Sequence, residues 1–176
     1  EKGELQEQQV NPNPHMQFLQ WFNHALEAKS HEPYAMSLAT ANAQGRPHVR
    51  TVLLRGATEA GYDFYTNYDS QKGLDLAENP YAELLFYWQD QERQIAAHVS
   101  TPQSGVIGSR EELQQRFWDL HHQVANQQEL DKPVFWGGYR LEPDYYEFWQ
   151  GRPNRLHDRL SYRKSDDGWT LERLMP

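Results

Sequence analysis

The feature that most limits this chain's fold is a succession of short apolar and aromatic segments separated by turn signals. "YAMSLATA" (Tyr34–Ala41) leads into the turn "NAQG", and "RPHVRTVLLRG" returns from it. "AGYDFYTN", "YAELLFYWQ" and "ERQI" follow. The last third adds "FWGGYRLEP", "DYYEFWQG", "RLHDRLSYR" and "WTLERL". The turns of that last third contain Pro143, Gly151–Pro153 and Asp166–Gly168. Short loops favour antiparallel neighbours, and the spacing points to a closed or partly closed barrel of about seven or eight strands. Strand–helix alternation and a glycine-rich dinucleotide fingerprint are both missing, which argues against a doubly wound sheet.

Two longer helices flank the strands. "NPNP" offers an Asn cap with Pro14 at a first helical position, and Phe18, Phe22 and Leu26 then repeat every fourth residue. In "SREE", Ser109 and Glu112 form a capping box before a second amphipathic stretch carrying Leu113, Phe117, Leu120 and Val124. A short helix, "SQKGLDLAENP", is closed by Asn79 and Pro80. Beyond Ile95 the strand pattern fails: "AAHVSTPQSGVIG" reads as neither strand nor helix.

The 176 residues suit one domain over 1–176, with a polar segment at 1–13. A net charge of −8 argues against nucleic acid or an anionic membrane as main partner. Cysteine is absent, which removes disulfides, thiolate metal sites and a cysteine nucleophile. No apolar run approaches membrane-spanning length and no signal-peptide core opens the chain, so the expectation is a soluble, cytoplasmic protein. His121 and His122 are adjacent and do not share a helix face as metal ligands usually do, and no HExxH, GxSxG or P-loop occurs. No metal site is expected.

Three constellations remain. "RTVLLR" (Arg50–Arg55) alternates Arg50, Val52 and Leu54 against Thr51, Leu53 and Arg55, either as a barrel strand with charged ends or with a guanidinium aimed at a phosphate. In "FYTNYDSQKG", Thr66, Asn67, Ser70 and Lys72 crowd a turn opening a helix, a phosphate cradle or ordinary capping by Asp69 or Ser70. In "RLHDRL", an extended chain puts Arg155, His157 and Arg159 on one face. Three such groups in a row ask for an anion, with Asp158 the local alternative.

These segments, with "LLFYW…ERQ", "PQS" and "FWGGYRLEP…YEFWQG", occur in an order that resembles the pyridoxamine 5′-phosphate oxidases, from about Asn13 to Pro176. The resemblance implies a mainly β, antiparallel, Greek-key-like FMN-binding split barrel with flanking helices. It also implies a homodimer with FMN at the subunit interface. The implied reaction converts pyridoxine 5′-phosphate or pyridoxamine 5′-phosphate to pyridoxal 5′-phosphate, with O2 as acceptor and H2O2 as product. On this resemblance Arg50, Thr51, Val52, Leu53, Leu54 and Arg55 line FMN, with Tyr65, Thr66, Gln71, Lys72 and Gln94 beside it. Gln103, Ser104, Trp149 and Arg159 reach it from the partner chain. Arg155 and His157 are the implied catalytic groups and bind substrate with Arg55 and Leu156.

Three departures stand out. Arg55 replaces a Lys that often contacts the substrate phosphate, and Gln71 replaces an Arg common beside the flavin-phosphate lysine. Between Ile95 and Ala96 the family continues its strand, adds another and runs a helix that contacts the substrate phosphate; this segment is missing. A barrel does not easily lose a strand and close again, so residues omitted at the junction are expected, with Ile95 and Ala96 not bonded neighbours. The alternatives are a split-barrel oxidase of phenazine-type biosynthesis, which Gln71 favours, and a flavin- or B6-phosphate-binding protein without turnover.

Overall fold

The structure, a computed structural model, describes residues 3–100 and 136–176. Gln103, Ser104 and the helix expected from Ser109 onward lie outside them.

The first helix, α1 (Pro14–Glu27), starts where its cap signals place it. The Asn13 side chain accepts from the backbone N–H groups of His15 and Met16, and Pro14 fills the first turn. Its apolar stripe buries Phe18, Trp21, Phe22 and Ala25.

Among the described residues nine strands follow: β1 (Ala35–Ala41), β2 (Pro47–Thr58), β3 (Gly61–Asn67), β4 (Tyr81–Trp88), β5 (Arg93–Ser100), β6 (Trp136–Leu141), β7 (Tyr145–Gln150), β8 (Asp158–Ser165) and β9 (Gly168–Arg173). The short helix α2 (Gln71–Glu78) joins β3 to β4. The strands form one antiparallel sheet in the order β6-β3-β2-β1-β4-β5-β7-β8-β9. The sheet curls around α1. Phe18 meets Tyr62 of β3 and Phe86 of β4, while Trp21 meets Phe148 of β7 edge-on. Tyr62 and Tyr146 come within 6.1 Å although four strands separate β3 from β7 in the sheet order. That closure is the barrel, and its core is the aromatic set the sequence concentrates in these strands. Two glycines are required sterically. A Cβ at Gly61, at φ +138°, would strike the Leu141 carbonyl, and one at Gly137 would overlap the Tyr68 ring.

Two expectations are corrected. The strand does not stop at Ile95: β5 continues to Ser100, with Ile95 opposite Phe86 and Phe148, and Ala96 opposite Leu85 and Glu147. Alanines have little strand propensity of their own; pairing on both sides holds them extended. The "RLHDRL" segment is not extended throughout. Pro153–Arg155 form a single 3₁₀ turn, with Asn154 at φ 58° and Arg155 at φ 62°, and the strand begins only at Asp158. Arg155, His157 and Arg159 therefore do not share a strand face. Among the described residues no helix is long and apolar enough to cross a membrane.

Candidate active site

The expected site residues fall into two groups. The first forms where β1, β2 and α2 meet. Burial along β2 alternates, placing His48, Arg50, Val52 and Leu54 inward and Thr51, Leu53 and Arg55 outward. At the centre is Asp75, fully buried on α2. It accepts from Thr40 Oγ1 at 2.6 Å, His48 Nδ1 at 2.8 Å and Gln71 Nε2 at 3.0 Å, with an Arg50 nitrogen at 3.8 Å. Thr40 Oγ1 in turn accepts from Arg50 Nη1 at 2.7 Å, and the Leu38 carbonyl accepts from the same nitrogen. Burial alone would raise the Asp75 carboxyl, but the bonds from Thr40, Gln71 and His48 outweigh it and hold the group below its ordinary value. Burial pulls Lys72 down, and the neighbouring Arg50 cation adds to this. Two half-buried cations thus stand near each other, and of the two only Arg50 pairs with Asp75 among the described residues, an arrangement suited to an added anion. Ser70 occupies the N-cap position of α2 without a side-chain cap bond; its hydroxyl accepts from Lys72 Nζ.

Thr51, Leu53, Arg55 and Tyr65 lie on the outer face, away from this cluster, with Tyr65 72% exposed. Val52 is half-buried and Leu54 belongs to the core. Within one chain, therefore, the run Arg50–Arg55 does not line a single surface.

The second group lies on β4, β5, β7 and β8. Register aligns Tyr87, Gln94, Trp149 and Arg159 in one row across these four strands. Arg159 is clamped by Glu147 through two bonds, 2.7 and 3.1 Å, and also donates to the Met175 carbonyl. Trp149 leads to the strained turn, its ring 4.7 Å from that of His157. His157 Nδ1 accepts from the Arg152 backbone N–H at 3.1 Å, which leaves the proton of the neutral ring on Nε2. A hollow of about 520 Å³ opens here, lined by Tyr87, Trp149, Arg152 and His157 among others. Gln94, Trp149, Arg159 and Glu147 line a neighbouring one.

The arginines of this region differ sharply. Arg152 bonds Glu4 and the Gly3 carbonyl, Arg159 bonds Glu147, and Arg173 bonds Glu7 and Asp158. Arg155 is exposed and makes no hydrogen bond or ion pair among the described residues. Leu156, 68% exposed, faces a different hollow, shared with Glu4, Leu5 and Gln6.

Sequence reasoning missed Thr40, His48, Asp75, Tyr87 and Glu147. The repeat of alternate positions on β2 placed His48 with Arg50, and i,i+4 spacing placed Gln71 with Asp75. Tyr87 and Glu147 needed the cross-strand register.

Comparison with known proteins divides the chain in two. Residues 22–135 match the family described as "Pyridoxamine 5'-phosphate oxidase", and residues 136–176 match "Pyridoxine 5'-phosphate oxidase C-terminal dimerisation region". A protein named pyridoxine/pyridoxamine 5′-phosphate oxidase from Acinetobacter baumannii is 70% identical, covering 100% of this chain and 93% of its own length. Another of that name, from Deinococcus deserti, is 47% identical over 99% of this chain and 94% of its own. The first alignment is 203 positions long against the 176 residues here, so the relative carries residues that this chain lacks. Among solved structures, PhzG from Burkholderia lata in complex with tetrahydrophenazine-1-carboxylic acid superposes with a TM-score of 0.86 at 28% identity, covering 98% of both chains. A pyridoxamine 5′-phosphate oxidase-related, FMN-binding protein from Nostoc punctiforme shares the fold, with a TM-score of 0.65 at 18% identity.

Proposed function

This chain belongs to the pyridoxamine 5′-phosphate oxidase family, and on that premise we propose that it oxidises pyridoxine 5′-phosphate or pyridoxamine 5′-phosphate to pyridoxal 5′-phosphate. The alcohol loses a hydride from C4′ and a proton from its hydroxyl, and O2 takes both electrons to become H2O2. The amine follows the same balance with water consumed and ammonia released. Oxidoreductase chemistry fits the oxidase names of the relatives.

The observation that carries the reading is Arg155. Its neighbours Arg152, Arg159 and Arg173 are neutralised by carboxylates, while Arg155 stands exposed on a left-handed turn beside His157. A guanidinium so placed binds an anionic, planar substrate and lays it over the ring surface of Trp149 and His157. The Arg152 N–H fixes His157 in one tautomer, with Nε2–H as donor toward substrate oxygen or nitrogen.

FMN fits the residues present. Arg50 and its neighbouring cation Lys72 would hold the flavin phosphate, and Thr66 joins them on the family resemblance. Gln94, Trp149 and Arg159 would meet the rest of the cofactor. The chemistry FMN supplies when bound is hydride acceptance from C4′ and reoxidation by O2. On this reading the first group, on β1, β2 and α2, and the second, on β4, β5, β7 and β8, are brought into one site by two copies of the chain. A homodimer is therefore part of the reading, in line with the dimerisation region matched at 136–176. On it, Thr51, Leu53, Arg55 and Tyr65, outward in one chain, face the partner's share of the site. A cytoplasmic location goes with such an enzyme. The residues that the relatives carry in excess belong, on this reading, at the Ile95–Ala96 junction, across which β5 runs as one strand between β4 and β7.

The test is one assay. The purified protein is examined for a flavin spectrum, given pyridoxine 5′-phosphate in air, and followed for pyridoxal 5′-phosphate and peroxide. Formation of both supports the oxidase; bound FMN with neither product removes the substrate assignment. In that event the second reading is a phenazine-type oxidase, favoured by the coverage of 98% of both chains by PhzG.

A further inference from the structure

We propose that the N-terminal segment Gly3–Asn11 is a clasp for the substrate turn, with Glu4 a positioning residue that acts on Arg155 and His157 through Arg152. The inference rests on the reading of Arg155 and His157 as substrate-facing. Its ground is the way the turn is anchored. Arg152 opens the turn and Asp158 closes it, and both are tied to the same strap. Arg152 donates to the Gly3 carbonyl at 3.0 Å and to Glu4 Oε1 at 2.6 Å. Asp158 Oδ2 accepts from the Leu5 backbone N–H at 3.2 Å. Arg173 then bridges them, donating to Asp158 Oδ1 at 2.8 Å, the Leu5 carbonyl at 2.6 Å and both oxygens of Glu7. Leu5 is buried in the core, and the Tyr162 hydroxyl holds the far end of the strap at the Asn11 carbonyl.

Between these two anchors the chain holds two consecutive non-glycine residues, Asn154 and Arg155, at positive φ. Such backbone is disfavoured and persists only when its surroundings fix it. The turn's own backbone bonds are few: Leu156 N–H to the Pro153 carbonyl, and Arg152 N–H to His157. The Arg152–Asp158 ion pair, long at 3.9 Å, adds a direct tie between the ends, and the strap supplies the shorter bonds. Loss of the Glu4 carboxylate leaves the Arg152 guanidinium only the Gly3 carbonyl and a longer approach to Asp158, 3.9 Å, and the ends of the turn then separate more readily. The His157 contact and the orientation of Arg155 are lost together.

The experiment compares wild type with Glu4→Ala, and with Glu4→Gln as the conservative rescue, in the full chain. Hydrogen exchange at the Arg152 and Leu156 amides is measured on the protein as purified, and KM for pyridoxine 5′-phosphate is measured beside kcat and FMN content. In Glu4→Ala, exchange at these amides and KM should each rise about tenfold, the scale of one lost charge-assisted hydrogen bond. FMN content and kcat should hold within about twofold, and Glu4→Gln, which keeps an acceptor oxygen, should recover most of the change. Unchanged exchange at the turn overturns the inference. So does a lowered Tm with KM unchanged, since the strap would then serve stability alone. If wild type holds FMN but oxidises neither B6 phosphate, the functional reading fails by itself, and the exchange comparison still decides whether the strap holds the turn.

Discussion

The cluster around Asp75 and the turn around Arg155 both collect cations, and they neutralise them in opposite ways. At Asp75, one fully buried carboxylate serves Thr40, His48 and Gln71 directly and Arg50 at longer range, and its partners sit on neighbouring regular elements. Around Arg155 the carboxylates are several and partly exposed: Glu4 pairs with Arg152, Glu147 with Arg159, and Glu7 and Asp158 with Arg173. The buried arrangement is rigid and costly to open. The exposed one is a set of individually weak ties, and it leaves one arginine with no partner among the described residues. A cofactor that stays bound suits the first, and a substrate that enters and leaves suits the second.

If that contrast is right, the largest effect on turnover comes from Arg155, the arginine with no partner among the described residues. Arg155→Ala should lower kcat/KM by about 100-fold or more, the scale of two charge-assisted hydrogen bonds to an anion. Its Tm and FMN content should stay close to wild type. A large fall in stability would mean that Arg155 is held by the fold after all.

Asp75→Ala should do the reverse. It strands Thr40, His48 and Gln71 without their acceptor and leaves Arg50 uncompensated, at a cost of about 3 kcal/mol of folding stability in urea titration. A loss below about 1 kcal/mol would put the cluster in the same class as a surface ion pair. A smaller effect is expected for Lys72→Ala. FMN affinity should fall about tenfold, while affinity for riboflavin, which has no phosphate, should stay unchanged. Equal weakening of both ligands would remove Lys72 from the phosphate site.

The two regions also differ in how far the sequence announced them. Asn13, Pro14 and the fourfold spacing of Phe18 and Phe22 are local signals, and α1 follows them. The alternation of "RTVLLR" is equally local, and β2 keeps it. The "RLHDRL" reading fails because Arg155 follows Asn154 into positive φ; Asn tolerates that region, but nothing in the residue type of Arg155 marks it. Glu4 and Glu7, the strap partners of Arg152 and Arg173, lie about 150 residues and more away in the chain, so only the fold brings them together. The passage of β5 beyond Ile95 was hidden for a related reason. Ala96 and Ala97 become strand through the neighbours they pair with, and β4 and β7 supply them.

The smallest effect separates the two regions by pH and salt. Glu7 is an exposed carboxylate whose hydrogen bond from Arg173 lowers its pKa to about 2. The folded value lies below the unfolded one, so the unfolded chain binds the proton more readily. The pair's contribution is therefore complete above about pH 4.5 and is lost as pH falls toward 2. Solvent screens the pair, and its worth is at most about 1 kcal/mol. The stability difference between wild type and Glu7→Gln should thus be small and flat from pH 8 to pH 5, shrink in more acid solution, and largely vanish in 1 M salt, where the screening length is about 3 Å. The difference produced by Asp75→Asn should survive the same salt, because no solvent reaches that carboxylate. If salt erodes both equally, the Asp75 cluster is open to water, and the division between a buried cofactor anchor and an exposed substrate clasp does not hold.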